Sequence, residues 1–166
     1  SAEEALKMIN RNEYLLIFSD IFMGGMSGLE LLDQVRILEN PPKIVIMTAQ
    51  NTMNNTIEAM CKGAYDYISK PFDLEEIYKL IDKIIAGNKI KPPKLGSKMK
   101  AFGSSMDVII GKSRKMQIVF KTIGKLAKSD LGVLITGESG TGKEMVSRAL
   151  HNYSKRADKP FICINC

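Results

Sequence analysis

Two groups of residues in this 166-residue chain have the types and spacing to do chemistry. The first is a compact run, Gly137-Glu138-Ser139-Gly140-Thr141-Gly142-Lys143-Glu144. Its glycines let the backbone turn N–H groups inward, a helix starting there adds positive potential, and Lys143 supplies a mobile cation for outer phosphates, so the run predicts a phosphate cradle. It departs from the generic pattern at Glu144, where a Ser or Thr usually follows the lysine. The second group is dispersed. Asp20, Thr48 and Lys70 each close an apolar segment, and in an open parallel sheet sites form beyond the carboxyl ends of the strands. A carboxylate, a hydroxyl and an ammonium at one edge suit phosphoryl transfer to a carboxylate, with Asp20 as nucleophile, Thr48 donating to a phosphoryl oxygen and Lys70 balancing charge.

The elements that must position these residues follow from periodicity. Leu15 to Ser19, Lys43 to Met47 and Asp66 to Ser69 read as strands ending at Asp20, Thr48 and Lys70. Between them, helices are expected over Ser27 to Glu39, with a Ser27/Glu30 capping box, and over Asn51 to Lys62, with Met53, Ile57 and Met60 inward and Gly63 as stop. A short helix, Ser1 to Asn10, precedes the first strand. Another, Asp73 to Ala86, follows the third, capped by Asp73 and Glu76 and burying Leu74, Ile77, Ile81 and Ile84. In the second half a helix is expected over Ser113 to Ala127, a strand over Leu131 to Thr136, a helix over Glu144 to Tyr153 with Met145, Ala149 and Leu150 inward, and a strand from Phe161 to Asn165. Alternation of strand and helix in both halves predicts an α/β fold with parallel sheets.

Bulk composition narrows the function classes. No apolar run approaches membrane length and no secretory leader opens the chain. Three cysteines suit a reduced compartment, and Cys163 and Cys166, without a second pair, read as ordinary buried thiols. The net charge of +6 is uneven. Residues 88 to 130 hold ten lysines and Arg114 against Asp107 and Asp130, +9 in all, which leaves −3 for the remainder. With no aromatic or recognition-helix pattern beside it, this charge reads as a solvated linker and the outer face of a helix. His151 reads as a helix-end histidine facing the dipole, and the ten methionines as core filler. The chain begins inside a helical pattern and ends inside a strand pattern, as a fragment would.

The first-half motifs resemble the receiver domain of response regulators. They are Phe18-Ser19-Asp20-Ile21-Phe22-Met23, Gly25-Met26-Ser27-Gly28-Leu29-Glu30, Ile46-Met47-Thr48-Ala49, and Gly63-Ala64-Tyr65-Asp66-Tyr67-Ile68-Ser69-Lys70-Pro71-Phe72, with Thr48 and Lys70 lying 28 and 50 residues after Asp20. The resemblance implies a flavodoxin-like fold, Asp20 as phospho-acceptor, Thr48 as switch hydroxyl, Tyr67 as switch aromatic, a cis Lys70–Pro71 peptide, and Mg²⁺ held by Asp20 and the Phe22 carbonyl. Two departures are visible: glycine at position 24 where the family has proline, and no acidic pair from a preceding strand, so this chain should be phosphorylated poorly by itself.

The second half resembles the start of the AAA+ ATPase domain of NtrC-type activators, from Val108-Ile109-Ile110-Gly111 through Leu134-Ile135-Thr136 and the glycine run to Arg156-Ala157 and Pro160-Phe161-Ile162-Cys163-Ile164-Asn165-Cys166. Glutamate at position 144 is common in that family. The resemblance implies ATP and Mg²⁺ as cofactors, ATP contacts along Gly137 to Glu144, and Ile110 and Gly111 near the adenine. It divides the chain into a partial receiver domain at 1–87, a linker at 88–106 and a partial P-loop AAA+ domain at 107–166. It further implies a cytoplasmic two-component regulator with a sensor histidine kinase, sigma-54 RNA polymerase and, through a C-terminal domain absent from this chain, DNA as partners, acting as a homo-oligomeric ring without membrane attachment. Walker B acids, the sigma-54 contact loop, sensors and arginine fingers would lie after Cys166, so hydrolysis would belong to a longer protein. Two other classes compete: a metabolic P-loop kinase or phosphotransferase behind an unrelated α/β domain, and a non-catalytic receiver-like scaffold with a degenerate P-loop.

Overall fold

The structure, a computed structural model, describes residues 1–50, 52–87, 109, 111 and 113–164. The first half alternates helix and strand: α1 (Ala2–Ile9), β1 (Leu16–Asp20), α2 (Gly28–Val35), β2 (Lys43–Thr48), α3 (Met53–Cys61), β3 (Asp66–Ser69) and α4 (Leu74–Ala86). The second half contributes α5 (Arg114–Leu126) and α6 (Lys143–Asn152). The linker expected at 88–106 lies outside the described residues, as do Ile110 and Cys166.

The three strands form one parallel sheet in the order β1-β2-β3. Alternate residues of β2 serve opposite faces, as the two-residue period of a strand requires. Ile44 and Ile46 pack with Leu31, Leu32 and Val35 of α2, Ala2 of α1 and Met60 of α3. Val45 packs on the other face with Ile68, Leu80 and Ile84. The inward face of α4 is therefore built on Ile77, Leu80 and Ile84; Leu74, expected inside, is exposed.

A third cluster joins the halves. Met53, Ile57 and Cys61 of α3 pack against Phe120 and Ile123 of α5, Ala127 just beyond it, Ala149 of α6 and Tyr153 at its end. The two helices approach so closely that a Cβ on Gly124 would lie 2.5 Å from the Met60 Cβ and 2.8 Å from the Ile57 carbonyl oxygen. The buried Cys61 thiol donates to the Gly124 carbonyl at 3.4 Å. Burial pushes this thiol up to about 11, so it stays protonated as a packing group. Lys121 pairs with Asp66 at 2.7 Å across the same junction.

The second half forms its helices and not its expected sheet. Among the described residues, 131–136 and 161–164 form neither strand nor helix. Leu134 is 88% exposed and Ile162 78% exposed. A helix satisfies its own N–H and C=O groups, whereas a strand exists only when neighbours complete its ladder, and no described segment pairs with these. Two side chains also differ from expectation. Met145 is exposed, and the inward stripe of α6 runs through Val146, Ala149 and Leu150 to Tyr153. Cys163 is exposed because it lies on one of the unpaired segments. No helix among the described residues is long and apolar enough to cross a membrane.

Candidate functional site

Parallel register brings the dispersed polar residues to one sheet edge. Asp20 is the last residue of β1 and pairs with Met47, Thr48 is the last of β2 and pairs with Ser69, and Lys70 follows directly. The Lys70 ammonium donates to Asp20 Oδ2 at 2.6 Å, and the Phe22 N–H donates to Asp20 Oδ1 at 3.2 Å. Partial burial pushes the Asp20 carboxyl up, but the Lys70 contact and the Phe22 and Ile21 amides outweigh it and hold the group below the usual carboxylate range. Asp20 is therefore ionised, oriented and partly open to solvent, the state a carboxylate nucleophile needs. The Lys70–Pro71 peptide is cis.

Thr48 shares the edge but is held differently. It is fully buried, and its hydroxyl accepts the Gln50 N–H at 3.1 Å. The Gln50 carbonyl in turn accepts the Tyr67 hydroxyl at 3.4 Å and the Asn55 side-chain amide at 3.3 Å. Tyr67 is buried, and that burial pushes its phenol up to about 12. The segment after Thr48 thus carries the contact from the sheet edge to the first turn of α3, capped by Thr52. From α3 two polar links reach the second half. The Thr56 hydroxyl lies 3.3 Å from Gln117 Oε1 of α5, and the Tyr153 hydroxyl donates to Asn54 Oδ1 at 3.0 Å.

The donor set around Asp20 does not fit Mg²⁺ by itself. Mg²⁺ demands oxygen ligands in near-octahedral array, and this edge offers one carboxylate already paired with an ammonium. Among the described residues no group of three or more His, Cys, Asp or Glu side chains could hold a metal ion.

The glycine run forms a turn at the start of α6. Gly140 and Gly142 adopt φ of +78° and +88°, the left-handed region that favours glycine. Thr141 Oγ1 donates to the Glu138 carbonyl at 2.8 Å, and the Lys143 ammonium donates to the Gly137 and Glu138 carbonyls at 2.9 and 2.6 Å. The other five helices begin at a Ser, Thr or Asp whose side chain accepts a first-turn N–H. Helix α6 begins at Gly142 and has no side-chain cap, which leaves a positive helix end for an anion. Glu144 turns away from a metal-ligand role: its Oε1 accepts from Arg148 at 2.6 and 3.1 Å, and Arg148 lies over the Phe161 ring at 5.3 Å. Gly111, expected near an adenine, accepts from the Gln117 side chain at 3.3 Å. His151 sits in the last turn of α6 as expected, its ring tilted against that of Phe161 with centroids 5.3 Å apart.

Sequence patterns missed the role of α3 as the junction between the two halves. Gly124 was the available signal, since glycine amid good helix formers often marks a close helix approach. Glu3 was also missed, and it reaches the loop after Asp20.

Comparison with known proteins matches the two halves to two different domain families. Residues 1–82 match the response regulator receiver domain, and residues 109–166 match the sigma-54 interaction domain. This chain belongs to the NtrC family of sigma-54-dependent response regulators. It is 40% identical over 152 residues to the DNA-binding transcriptional regulator NtrC of Rhizobium meliloti, covering 90% of this chain and 30% of that protein. The Klebsiella pneumoniae NtrC is 39% identical over 165 residues, covering 99% of this chain and 34% of that protein. A solved two-component response regulator from Clostridium difficile is 31% identical, covering 54% of this chain and 74% of that structure, with a TM-score of 0.51. The chain thus spans about a third of the length of the curated NtrC relatives. The fold is α/β, with a parallel-sheet receiver followed by the start of an AAA+ domain.

Proposed function

We propose that this chain is the signal-receiving and nucleotide-holding part of a two-component regulator, with a receiver domain at 1–87, a linker at 88–106 and AAA+ sequence at 107–166. The observation that carries the reading is the ionised Asp20 carboxylate, held by Lys70 at 2.6 Å on the sheet's carboxyl edge. An Asp20 oxygen attacks the phosphorus of a histidine kinase's phosphohistidine. The O–P bond forms as the N–P bond breaks, and the histidine nitrogen keeps the electron pair. Lys70 then follows the added negative charge, and Thr48 donates its hydroxyl proton to a phosphoryl oxygen, loosening its contact with the Gln50 N–H. Mg²⁺ at Asp20 and the Phe22 carbonyl requires carboxylates beyond those at this edge.

In the second half, the uncapped start of α6 at Gly142 supports binding of ATP phosphates, and the family resemblance adds Ile110 and Gly111 as residues near the base. Lys143 exchanges its two carbonyl contacts for phosphate oxygens. The signal passes from Gln50 and Tyr67 through α3 to α5 and α6. Helix α4 meets the second half through the wider Arg114–Glu76 pair at 3.8 Å. The whole regulator acts in the cytoplasm as a homo-oligomeric ring, binds DNA through a further domain, and uses ATP hydrolysis to activate sigma-54 RNA polymerase. Membership in both domain families disfavours a metabolic P-loop kinase. A receiver-like scaffold remains as the alternative that loss of ATP binding in Lys143→Ala would exclude.

The test is acetyl phosphate labelling with Mg²⁺. The whole regulator labels at Asp20 and its Asp20→Asn variant does not, while this 166-residue chain alone labels barely. Equal labelling of the Asp20→Asn variant would remove Asp20 from the role.

A further inference from the structure

The loop after Asp20 runs from Ile21 to Gly28 and is closed at its base by the Gly28 N–H donating to the Ile21 carbonyl at 3.0 Å. Its centre is Gly24-Gly25, two adjacent residues with the greatest backbone freedom. This loop nonetheless has fixed partners for its amides. The Phe22 N–H donates to Asp20, the Met26 N–H donates to Glu3 Oε1 at 2.8 Å, and the Ser27 N–H donates to Glu30 Oε2 at 2.8 Å. Two carboxylates on two different helices therefore take two successive backbone donors.

The two carboxylates are not there for the same reason. Glu30 is the return arm of the α2 capping box, three residues from its donor, and α2 explains it. Glu3 is 23 residues from Met26 in sequence, and its own helix is capped by Ser1 and Glu4. Nothing in α1 requires Glu3 to reach the loop. The loop is also shaped to receive it. Gly25 has φ +90°, which favours glycine, and a Cβ there would lie 2.6 Å from Glu3 Oε1, so a side chain at this position would push the carboxylate aside. The Met26 amide is the chief reason that the Glu3 carboxyl is held below its ordinary range.

We propose that Glu3 is a positioning residue for the Asp20 site: with Glu30 it clamps the Met26–Ser27 backbone and fixes the glycine-rich loop that carries Phe22 and its carbonyl beside Asp20. The role rests on the reading of Asp20 as the phosphoryl acceptor. The clamp itself does not, so the two can fail separately.

Amide hydrogen exchange followed by NMR on this 166-residue chain tests the clamp without a phosphoryl donor. Glu3→Ala should speed Met26 exchange by about tenfold, the scale of a lost charge-assisted hydrogen bond at a locally opening site. Glu3→Gln keeps an acceptor oxygen and should restore most of the protection. Glu4→Ala weakens the α1 cap without touching the loop, and should leave Met26 within about twofold of the parent. In the whole regulator, Glu3→Ala should slow Asp20 labelling by acetyl phosphate several-fold at unchanged melting temperature, with Glu3→Gln intermediate. Unchanged Met26 exchange in Glu3→Ala, or equal loss in Glu4→Ala, would overturn the clamp. Lost Met26 protection with unchanged Asp20 labelling would overturn the positioning role. If the parent regulator itself does not label at Asp20, the phosphoryl-acceptor reading fails and the exchange result stands on its own.

Discussion

The Asp20 edge and the Lys143 loop are both proposed phosphate sites, yet they are built in opposite ways. At the Asp20 edge three chain segments far apart in sequence converge because neighbouring strands hold one another in register. Its charged groups are already paired, Lys70 to Asp20. The Lys143 loop is a single local turn in which the lysine donates to its own loop carbonyls and the helix start is left uncapped. The first site is assembled by tertiary structure and its cation is already paired with the Asp20 carboxylate. The second is assembled locally and keeps its helix dipole free. The contrast teaches what each can report: the paired site responds to a change of charge, and the open one to arrival of an anion. Helix α3 meets the Asp20 edge through Gln50 and Asn55, and it meets the end of α6 opposite the Lys143 loop through Asn54–Tyr153.

The largest expected effect comes from removing the junction between the halves. Phe120 is fully buried between α3 and α5, and Phe120→Ala should cost about 3–5 kcal/mol in denaturant unfolding. Loss of cooperativity between the halves should accompany it. If the halves were independent, only the second-half transition would move. Lys143→Ala comes next, with ATP affinity falling by about 10–100-fold, the scale of a lost hydrogen bond to a charged group. Calorimetric titration with ATP reads this, and far-ultraviolet circular dichroism should stay unchanged.

Alkaline pH compares the halves through their buried tyrosines. Burial pushes both Tyr67 and Tyr153 from 10.0 up to about 12. A raised folded value means that the stabilising contribution is full below pH 10 and is lost as pH rises through 12, because the unfolded phenols ionise first. Stability followed from pH 9 to 11.5 should fall, and Tyr67→Phe and Tyr153→Phe should each flatten part of that fall. Identical profiles in the parent and both variants would contradict the burial of these phenols. The smallest effect is Tyr153→Phe at neutral pH, where loss of the Asn54 contact should cost about 0.5–1.5 kcal/mol. A double-mutant cycle with Asn54→Ala reads that coupling directly.

What was legible in the sequence divides along the same line. Asp20, Thr48 and Lys70 could be placed at one edge because an apolar run ending in a polar residue fixes a strand's carboxyl end and parallel topology does the rest. The capped helices were legible because capping is a property of four adjacent residues, as Ser27 and Glu30 show. The strand expected at Leu131–Thr136 depends on partners supplied from elsewhere, and an apolar run carries no record of whether they are present. The inward stripe of α6 shifted by one residue, from Met145 to Val146, because hydrophobicity alone did not identify the side facing α3 and α5. Glu3 was illegible for a simpler reason. A carboxylate that reaches across 23 residues to a backbone amide leaves no periodic trace, and only the neighbouring Gly25 hinted that space had been kept.

Helix α3 is proposed to carry the phosphorylation signal from the Asp20 edge into the second half. Amide hydrogen exchange across the whole regulator, before and after phosphorylation of Asp20, is the sharpest test. Protection should change in α3 and, with it, in α5 and in α6 around Tyr153. A change confined to β1, β2, β3 and their loops, with α5 and α6 unaltered, would contradict it.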